Sequence, residues 1–386
     1  MKITKIEVIP VNIPFTRTLK TAIGDWSLAE FVIVRMHTDA GIVGLGEVPP
    51  WMAVSRTSQG AIIQILKDYI CPVILGLDPF QVEKAWDLID LHAPGNPMAG
   101  TPIDIAMHDI MGKALKTPVY NLLGGKFREK VPIAAIIGFG ETKAMVDECK
   151  EWLDLGAKAV RIKVGLGMEK DMKNTEAIRK TIGGGITLRV DCNQAFTRNE
   201  AIRVISALEE FDLELAEQPV AWHDLTGMAM VAGSVQTPIM PHETLLDRFD
   251  ALHLVENGGA GVFGLKLDRP GGFANVKKVN ALAELNNIPC FMCSSIELGI
   301  STAAAAHLAV SQKNIKWACE FSGPQTITDD IVKNRIPIVD GFAKPWDAPG
   351  LGVELDEKKL EKYGKEPLVF ELGQNRKSPR ARERKS

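Results

Sequence analysis

From residue 131 onward the apolar positions gather into short β-rich runs, and longer amphipathic stretches separate them. The runs occupy 131–137, 160–165, 187–193, 213–218, 238–243, 262–267, 289–295 and 315–321, and helix-like segments such as 142–155 and 199–210 lie between them. A spacing of about 25 residues suits successive βα units of a closed parallel barrel. The first part of the chain follows another rhythm. Strand-like runs at 3–10, 31–36 and 41–46, joined by turn residues such as Thr38-Asp39-Ala40-Gly41, predict an antiparallel meander. A helical region is predicted over 58–75. A further helix is expected to begin with Thr101 as N-cap and Pro102 at its first position, presenting Ile103, Met107, Ile110, Met111 and Ala114 as its apolar face. His108 and Asp109 then belong to its packing or polar side, and Leu123-Gly124-Gly125 ends the local structure. Segments 15–26 and 47–55 read as loops able to form a lid.

One barrel run departs from pure packing. In Ala159-Val-Arg-Ile-Lys-Val-Gly165, side chains alternate, so Arg161 and Lys163 share one face and Val160, Ile162 and Val164 the other. Burying an unpaired charge costs several kcal/mol, so the two cations require something anionic opposite. Asp191 in R-V-D-C-N-Q, Glu217 in L-A-E-Q-P and Glu243 in I-M-P-H-E-T stand at corresponding run ends, and Lys266 stands in G-L-K-L-D-R-P-G-G. Any one alone reads most simply as a surface charge past a strand. Their shared placement at the carboxyl ends, where barrel active sites lie, makes them a candidate site.

Composition narrows the class. The 386 residues are 46% hydrophobic and 24% charged, with a formal net charge of -3. That is a globular composition with no general attraction for nucleic acid or an acidic membrane. The first ten residues alternate like a strand and lack a signal-peptide core, and no apolar run approaches the roughly 20 residues of a membrane span. A cytoplasmic protein is expected. Six cysteines scattered through apolar segments read as reduced and buried, and Cys290-x-x-Cys293 reads as core because no second pair or nearby His completes a site. Gly183-Gly184-Gly185 precedes a run instead of linking strand to helix, which is the wrong geometry for a dinucleotide fold.

Three carboxylates on neighbouring strands form a hard-oxygen set suited to Mg²⁺, with no Cys or His set to favour zinc. Lysines flanking such a set can act as bases, and the charge of an enediolate formed next to a substrate carboxylate can be stabilised by the ion.

The motifs R-I-K-V-G at Arg161, V-D-C-N-Q-A-F at Val190, A-E-Q-P at Ala216, G-L-K-L-D-R-P-G-G at Gly264, I-E-L-G-I at Ile296, C-E-F-S-G-P at Cys319 and P-G-L-G-V-E-L-D at Pro349 together resemble the enolase superfamily, specifically its muconate lactonizing branch. The resemblance implies an α/β fold, a modified TIM barrel of (β/α)₇β form with an α+β capping domain. Residues 1–128 would form the cap, completed by about 345–375, and 129–344 the barrel; 376–386 is a basic tail expected to be disordered. It also implies Mg²⁺, or Mn²⁺ in its place, at Asp191, Glu217 and an acidic residue after the fifth barrel strand. Lys163 and Lys266 would be the acid/base pair, and Arg161, Asn193, Glu297 and Glu320 would bind substrate. The expected partners are a small-molecule carboxylate substrate and further copies of the chain, with no nucleic acid and no membrane.

Three departures qualify these expectations. Arg161-x-Lys163 replaces Lys-x-Lys, keeping charge and adding a fork. His242-Glu243 replaces Asp-Glu; a direct match puts His242 at the metal, but Glu243 keeps an oxygen ligand and is preferred. Glu320-Phe321-Ser322 replaces the Asp-x-Asp that holds an ammonium group in dipeptide epimerases, which argues against a dipeptide and resembles the muconate type. The expected reaction is cycloisomerisation of a muconate-like diacid, in which Lys163 moves the proton and Lys266 contributes charge. The alternative is racemisation or epimerisation of an N-acylated or otherwise modified amino acid. A non-catalytic carboxylate-binding protein is the reading from another class.

Overall fold

The computed structural model describes residues 1–21 and 24–373, so the basic tail at 376–386 lies outside the described residues. The chain opens with three antiparallel strands, β1 (Ile3–Thr21), β2 (Gly24–Thr38) and β3 (Val43–Val48). A strand from the end of the chain, Leu368–Glu371, adds to the free edge of β1, giving Ile6↔Phe370 and Val8↔Leu368 pairs. Alternation along β1 and β2 serves two cores at once. Ile6, Val8, Val32, Val34 and Met36 pack with the cap's helices, whereas Ile9, Val11, Ile13, Phe31 and Ile33 join the core that continues into the barrel.

Two expectations are corrected here. Segment 15–26 is not a loop: most of it belongs to the long β1–β2 hairpin, with a register break between Pro14 and Leu19. Its polar residues carry no apolar period; pairing with β2 makes the strand. The predicted N-cap at Thr101 is also displaced. The helix runs Pro97–Ala114, with Pro97 in its first turn and Pro102 inside it. Both prolines satisfy the same local signal, and the Thr101 hydroxyl is spent elsewhere, donating to the Asp268 carbonyl at 2.6 Å. Gly44 and Gly46 let β3 lie directly on this helix, since a Cβ at either would overlap the Ala106 or Pro102 carbonyl.

The barrel strands Ala134–Ile137, Ala159–Lys163, Thr187–Asp191, Leu213–Glu217 and Ile239–Met240 form one parallel sheet in chain order. Phe263–Leu265 and Cys290–Met292 form a second parallel pair. The last segment bridges Cys290 through Ile315 and returns to the start through Cys319, whose N–H donates to Pro132 at 2.8 Å and whose carbonyl accepts from Ala134 at 2.8 Å. Helices such as Thr142–Asp154, Met168–Ile182 and Gly299–Ser311 separate successive strands. The outward face of the second strand, Val160 and Ile162, is fully buried against them. All six cysteines are free and buried. No helix among the described residues is long and apolar enough to cross a membrane.

Cap and barrel are joined by buried polar contacts. Glu47, fully buried at the end of β3, accepts from Leu298 N at 2.7 Å and Ser301 N at 2.9 Å at the start of the last barrel helix. Within the cap, Asp109 accepts from Leu45 N and Leu351 N, each at 2.9 Å, so its polar side is turned inward and ties β3 to the returning chain at Leu351.

Candidate active site

Strand register assembles the site. Lys163 pairs with Asp191 and Asp191 with Glu217, so these three stand side by side at the carboxyl ends of the second, third and fourth strands. In-register neighbours of a parallel sheet point to the same side, so a cation and two carboxylates converge. Arg161, one inward position below Lys163, meets them. Its Nη1 donates to Asp191 Oδ2 at 2.8 Å and also to Glu217 Oε2, while Nε lies 2.9 Å from Glu320 Oε1. The anionic partner demanded by the alternation is therefore threefold.

Lys163 Nζ donates to Asp191 Oδ2 at 2.5 Å and Asn193 Oδ1 at 2.6 Å, and Asn193 Nδ2 donates to Glu243 Oε1 at 3.2 Å. His242 Nδ1 lies 3.2 Å from both Glu217 Oε1 and Glu243 Oε2. Burial, reinforced by Arg269 and Lys266, holds the imidazole well below its ordinary pKa, so it is neutral. Burial opposes ionisation of Asp191, but Lys163 and Arg161 outweigh it and keep that carboxyl below its usual range. Burial pushes Glu217 up to about 8 in spite of Arg161, and burial with Asp191 raises Glu243. Four buried carboxyl groups thus gather around two cations: Asp191, Glu217 and Glu320 meet Arg161 or Lys163 directly, and Glu243 is linked to Lys163 through Asn193.

That imbalance is the observation relevant to a metal. Glu217 Oε1 is buried without a hydrogen-bond donor, and the donor set is all carboxylate oxygen, the chemistry of a hard divalent cation. Among the described residues no three of these side chains close on a common point; Arg161 spans Asp191 and Glu217 instead. In donor chemistry and charge the residues fit such an ion.

Lys266 arrives from the end of the sixth strand. In a closed eight-membered barrel that is opposite the second strand, which carries Lys163. Burial, with Arg269 next, lowers the Lys266 pKa, so its amine gives up its proton more readily than a surface lysine does. Both lysines line one cavity of about 270 Å³ with Arg161, Asp191, Asn193 and His242. The cap closes over it with Thr16, Arg17, Trp51 and Val54, and Arg17 reaches Glu148 and Glu151 of the first barrel helix at 3.4 and 3.8 Å. Glu217, Glu243, Glu297 and Glu320 are not among the cavity's lining residues. Glu320 stands behind Arg161, and Glu297 accepts from Ser294 Oγ at 2.6 Å and Ser295 N at 2.9 Å.

Several contributors stand outside the candidate residues that the sequence marks. Arg269 donates to the His242 carbonyl, and Arg56 donates to the Glu243 carbonyl at 2.5 Å while its guanidinium stacks 3.4 Å above the Trp222 ring. Gln218 Oε1 accepts from His242 N at 2.8 Å and Thr244 N at 3.1 Å, holding the loop that carries the third carboxylate. Arg269 follows Lys266 in a motif already singled out and could have been found there.

A capped (β/α)₇β barrel with two opposed lysines and a carboxylate cluster at its mouth defines the class: an isomerase of the enolase superfamily. Residues 3–124 match the mandelate racemase / muconate lactonizing enzyme N-terminal domain, and residues 144–359 match the enolase C-terminal domain-like family. The chain belongs to the mandelate racemase / muconate lactonizing enzyme family. Among solved structures it is similar to the N-succinyl Arg/Lys racemase of Bacillus cereus, at 30% identity over 96% of this chain and 100% of that one, with a TM-score of 0.92. The muconate lactonizing enzyme of Pseudomonas fluorescens, complexed with muconolactone, is 31% identical over 94% and 99% of the two chains, with a TM-score of 0.91. The dipeptide epimerase of Enterococcus faecalis, complexed with Mg and the dipeptide L-Leu-L-Tyr, is 34% identical over 92% and 100%, with a TM-score of 0.87.

Proposed function

We propose that this protein is a Mg²⁺-dependent racemase or epimerase, which removes the hydrogen α to a carboxylate and returns one on the opposite face. Its substrate is an amino acid whose nitrogen is acylated or otherwise substituted. The observation that carries this reading is the pair of lysines entering one cavity from opposed strands, with Lys266 shifted toward its neutral form. Lys266 takes the α-hydrogen on one face and Lys163 delivers a proton on the other; the opposite enantiomer uses them in reverse. Lys163 is oriented for this by Asp191 and Asn193. Asp191, Glu217 and Glu243 would hold Mg²⁺, the ion with which the Enterococcus faecalis dipeptide epimerase is complexed. The ion would supply stabilisation of the negative charge that develops on the substrate carboxylate. A free ammonium group finds no counterpart of Asp-x-Asp here, because Glu320 is committed to Arg161 and position 322 is Ser. Homo-oligomeric assembly is part of the same proposal.

One observation favours a second reading. The Glu320-x-x-Gly323-Pro324 sequence resembles the muconate type, which supports cycloisomerisation of a muconate-like diacid. A panel of N-acylated amino acids and cis,cis-muconate in D₂O, with Mg²⁺ and with EDTA, separates the two. Metal-dependent α-deuteration with loss of optical activity supports the racemase, whereas lactone formation from muconate with no exchange on the panel overturns it. Turnover of neither would leave the carboxylate-binding reading in place of both.

A further inference from the structure

Ser294 and Ser322 line the catalytic cavity, and behind them Glu297 is buried. The three form a chain. Ser294 Oγ lies 2.6 Å from Glu297 Oε2, and Ser322 Oγ lies 2.7 Å from Ser294 Oγ. The direction of its protons follows from counting donors. Burial raises the Glu297 pKa, while the bonds from Ser294 and Ser295 oppose that rise; in its ionised form the carboxylate only accepts, and its other oxygen is already taken by Ser295 N at 2.9 Å. The single Ser294 hydrogen must therefore go to Glu297. Ser294 oxygen also accepts from Ile296 N at 2.9 Å and, at 3.4 Å, from Ser322 N, and it has no hydrogen left for the Ser322 hydroxyl. The single Ser322 hydrogen must then go to Ser294. What Ser322 turns toward the cavity is lone pairs alone.

From this we infer that Ser322 Oγ is a specificity-determining acceptor that selects a substrate carrying a neutral N–H donor beside the reacting carbon, the N–H of an acylated α-nitrogen. Ser294 and Glu297 are positioning residues that hold its polarity. An ester oxygen or a second carboxylate at that place would oppose lone pair to lone pair. An ammonium group against Ser322 would need a charge within reach, and the carboxylate of this hydrogen-bond chain, Glu297, lies two hydroxyls away. The inference rests on the racemase reading and deepens it by naming the group that the nitrogen must present.

The test starts from the N-acylated amino acid that the Mg²⁺-loaded protein racemises fastest. Its binding is measured by calorimetry against that of the O-acylated hydroxy acid of the same skeleton, in which only the N–H is replaced by oxygen. A site built for a donor rejects the analogue lacking it, and one lost hydrogen bond that leaves a buried acceptor facing oxygen corresponds to roughly 10- to 100-fold weaker binding. Ser322→Ala should reduce that ratio to near unity. Glu297→Gln is the sharper variant. Its amide oxygen can still accept from Ser295 N while its NH₂ donates to Ser294, which reverses the chain and turns the Ser322 hydrogen into the cavity. The ester should then bind as well as or better than the amide, a reversal that a merely structural role for Glu297 would not produce. Equal binding of amide and ester by the unaltered protein overturns the inference while leaving the racemase reading intact. Tighter binding of the free amino acid than of its acylated form overturns it as well. Absence of any exchange across the panel fails the racemase reading first, and this inference with it.

Discussion

Arg161→Met is the perturbation most closely determined by the contacts at the site. The guanidinium is almost fully buried and meets Asp191, Glu217 and Glu320, all completely or nearly completely buried. Methionine replaces its bulk but leaves these carboxylates without their common cation. Removing one partner from a buried ion pair costs about 3–5 kcal/mol. With an unfolding entropy of about 2.1 cal/mol/K per residue, the 386 residues correspond to about 0.8 kcal/mol per kelvin. The midpoint of thermal unfolding, followed by circular dichroism in EDTA, should therefore fall by roughly 4–6 °C. Arg161→Lys restores a charge but not a fork that serves three acceptors, so its midpoint should lie between the two. Glu320→Gln should partly rescue Arg161→Met, because it removes one uncompensated charge, and the double variant should be more stable than the sum of the two single effects predicts. An unchanged midpoint in Arg161→Met, or strict additivity with Glu320→Gln, would refute the idea that Arg161 neutralises this cluster.

The metal-binding set gives a second expectation: Glu243→Gln should weaken Mg²⁺ binding at least tenfold or so, and His242→Ala much less, because a hard cation prefers charged oxygen. Calorimetric titration in which His242→Ala is the weaker binder would make the imidazole the ligand. At the cap–barrel seam, Glu47→Ala should destabilise by about 1–3 kcal/mol for each of the two backbone N–H groups it strands. Burial holds Glu47 well above the ordinary carboxylate pKa, so its stabilising contribution is full at acid pH and is lost as pH rises from the ordinary carboxylate range through its folded value. Glu47→Gln should flatten that limb of the stability–pH curve, and a curve identical to that of the unaltered protein would show that Glu47 does not titrate in the fold.

What the sequence makes legible is what repeats or alternates. The eight apolar runs announced the barrel, and a two-residue period aimed Arg161 and Lys163 at one another's partners before any partner was visible. Asp191 and Glu217 followed because equivalent strand ends meet in a parallel sheet. The contacts that sequence left hidden span great lengths of chain. Glu47 meets Leu298 and Ser301 across some 250 positions, and Arg56 reaches the Glu243 carbonyl across 187. Neither residue has a local pattern that marks it. The strand residues at 15–21 and 24–26 read as loop in sequence because strand pairing, not hydrophobic period, forms them. The start of the Pro97–Ala114 helix is ambiguous in sequence because two prolines offer the same signal. The polarity of the Ser322–Ser294–Glu297 chain is of the same kind: its members are ordinary in sequence, and only their distances fix where the protons lie.

The central claim is that Lys163 and Lys266 serve opposite faces of one carbon, and α-hydrogen exchange in D₂O tests it most directly. With each enantiomer of the substrate supplied separately, the unaltered protein should deuterate both. Lys163→Ala and Lys266→Ala should each lose racemisation by about 10²- to 10⁴-fold. Each variant should nevertheless retain exchange with one enantiomer, and the two should retain opposite ones. Loss of exchange with the same enantiomer in both variants, or exchange of both enantiomers by Lys266→Ala, would contradict the account and return Lys266 to a role of charge alone.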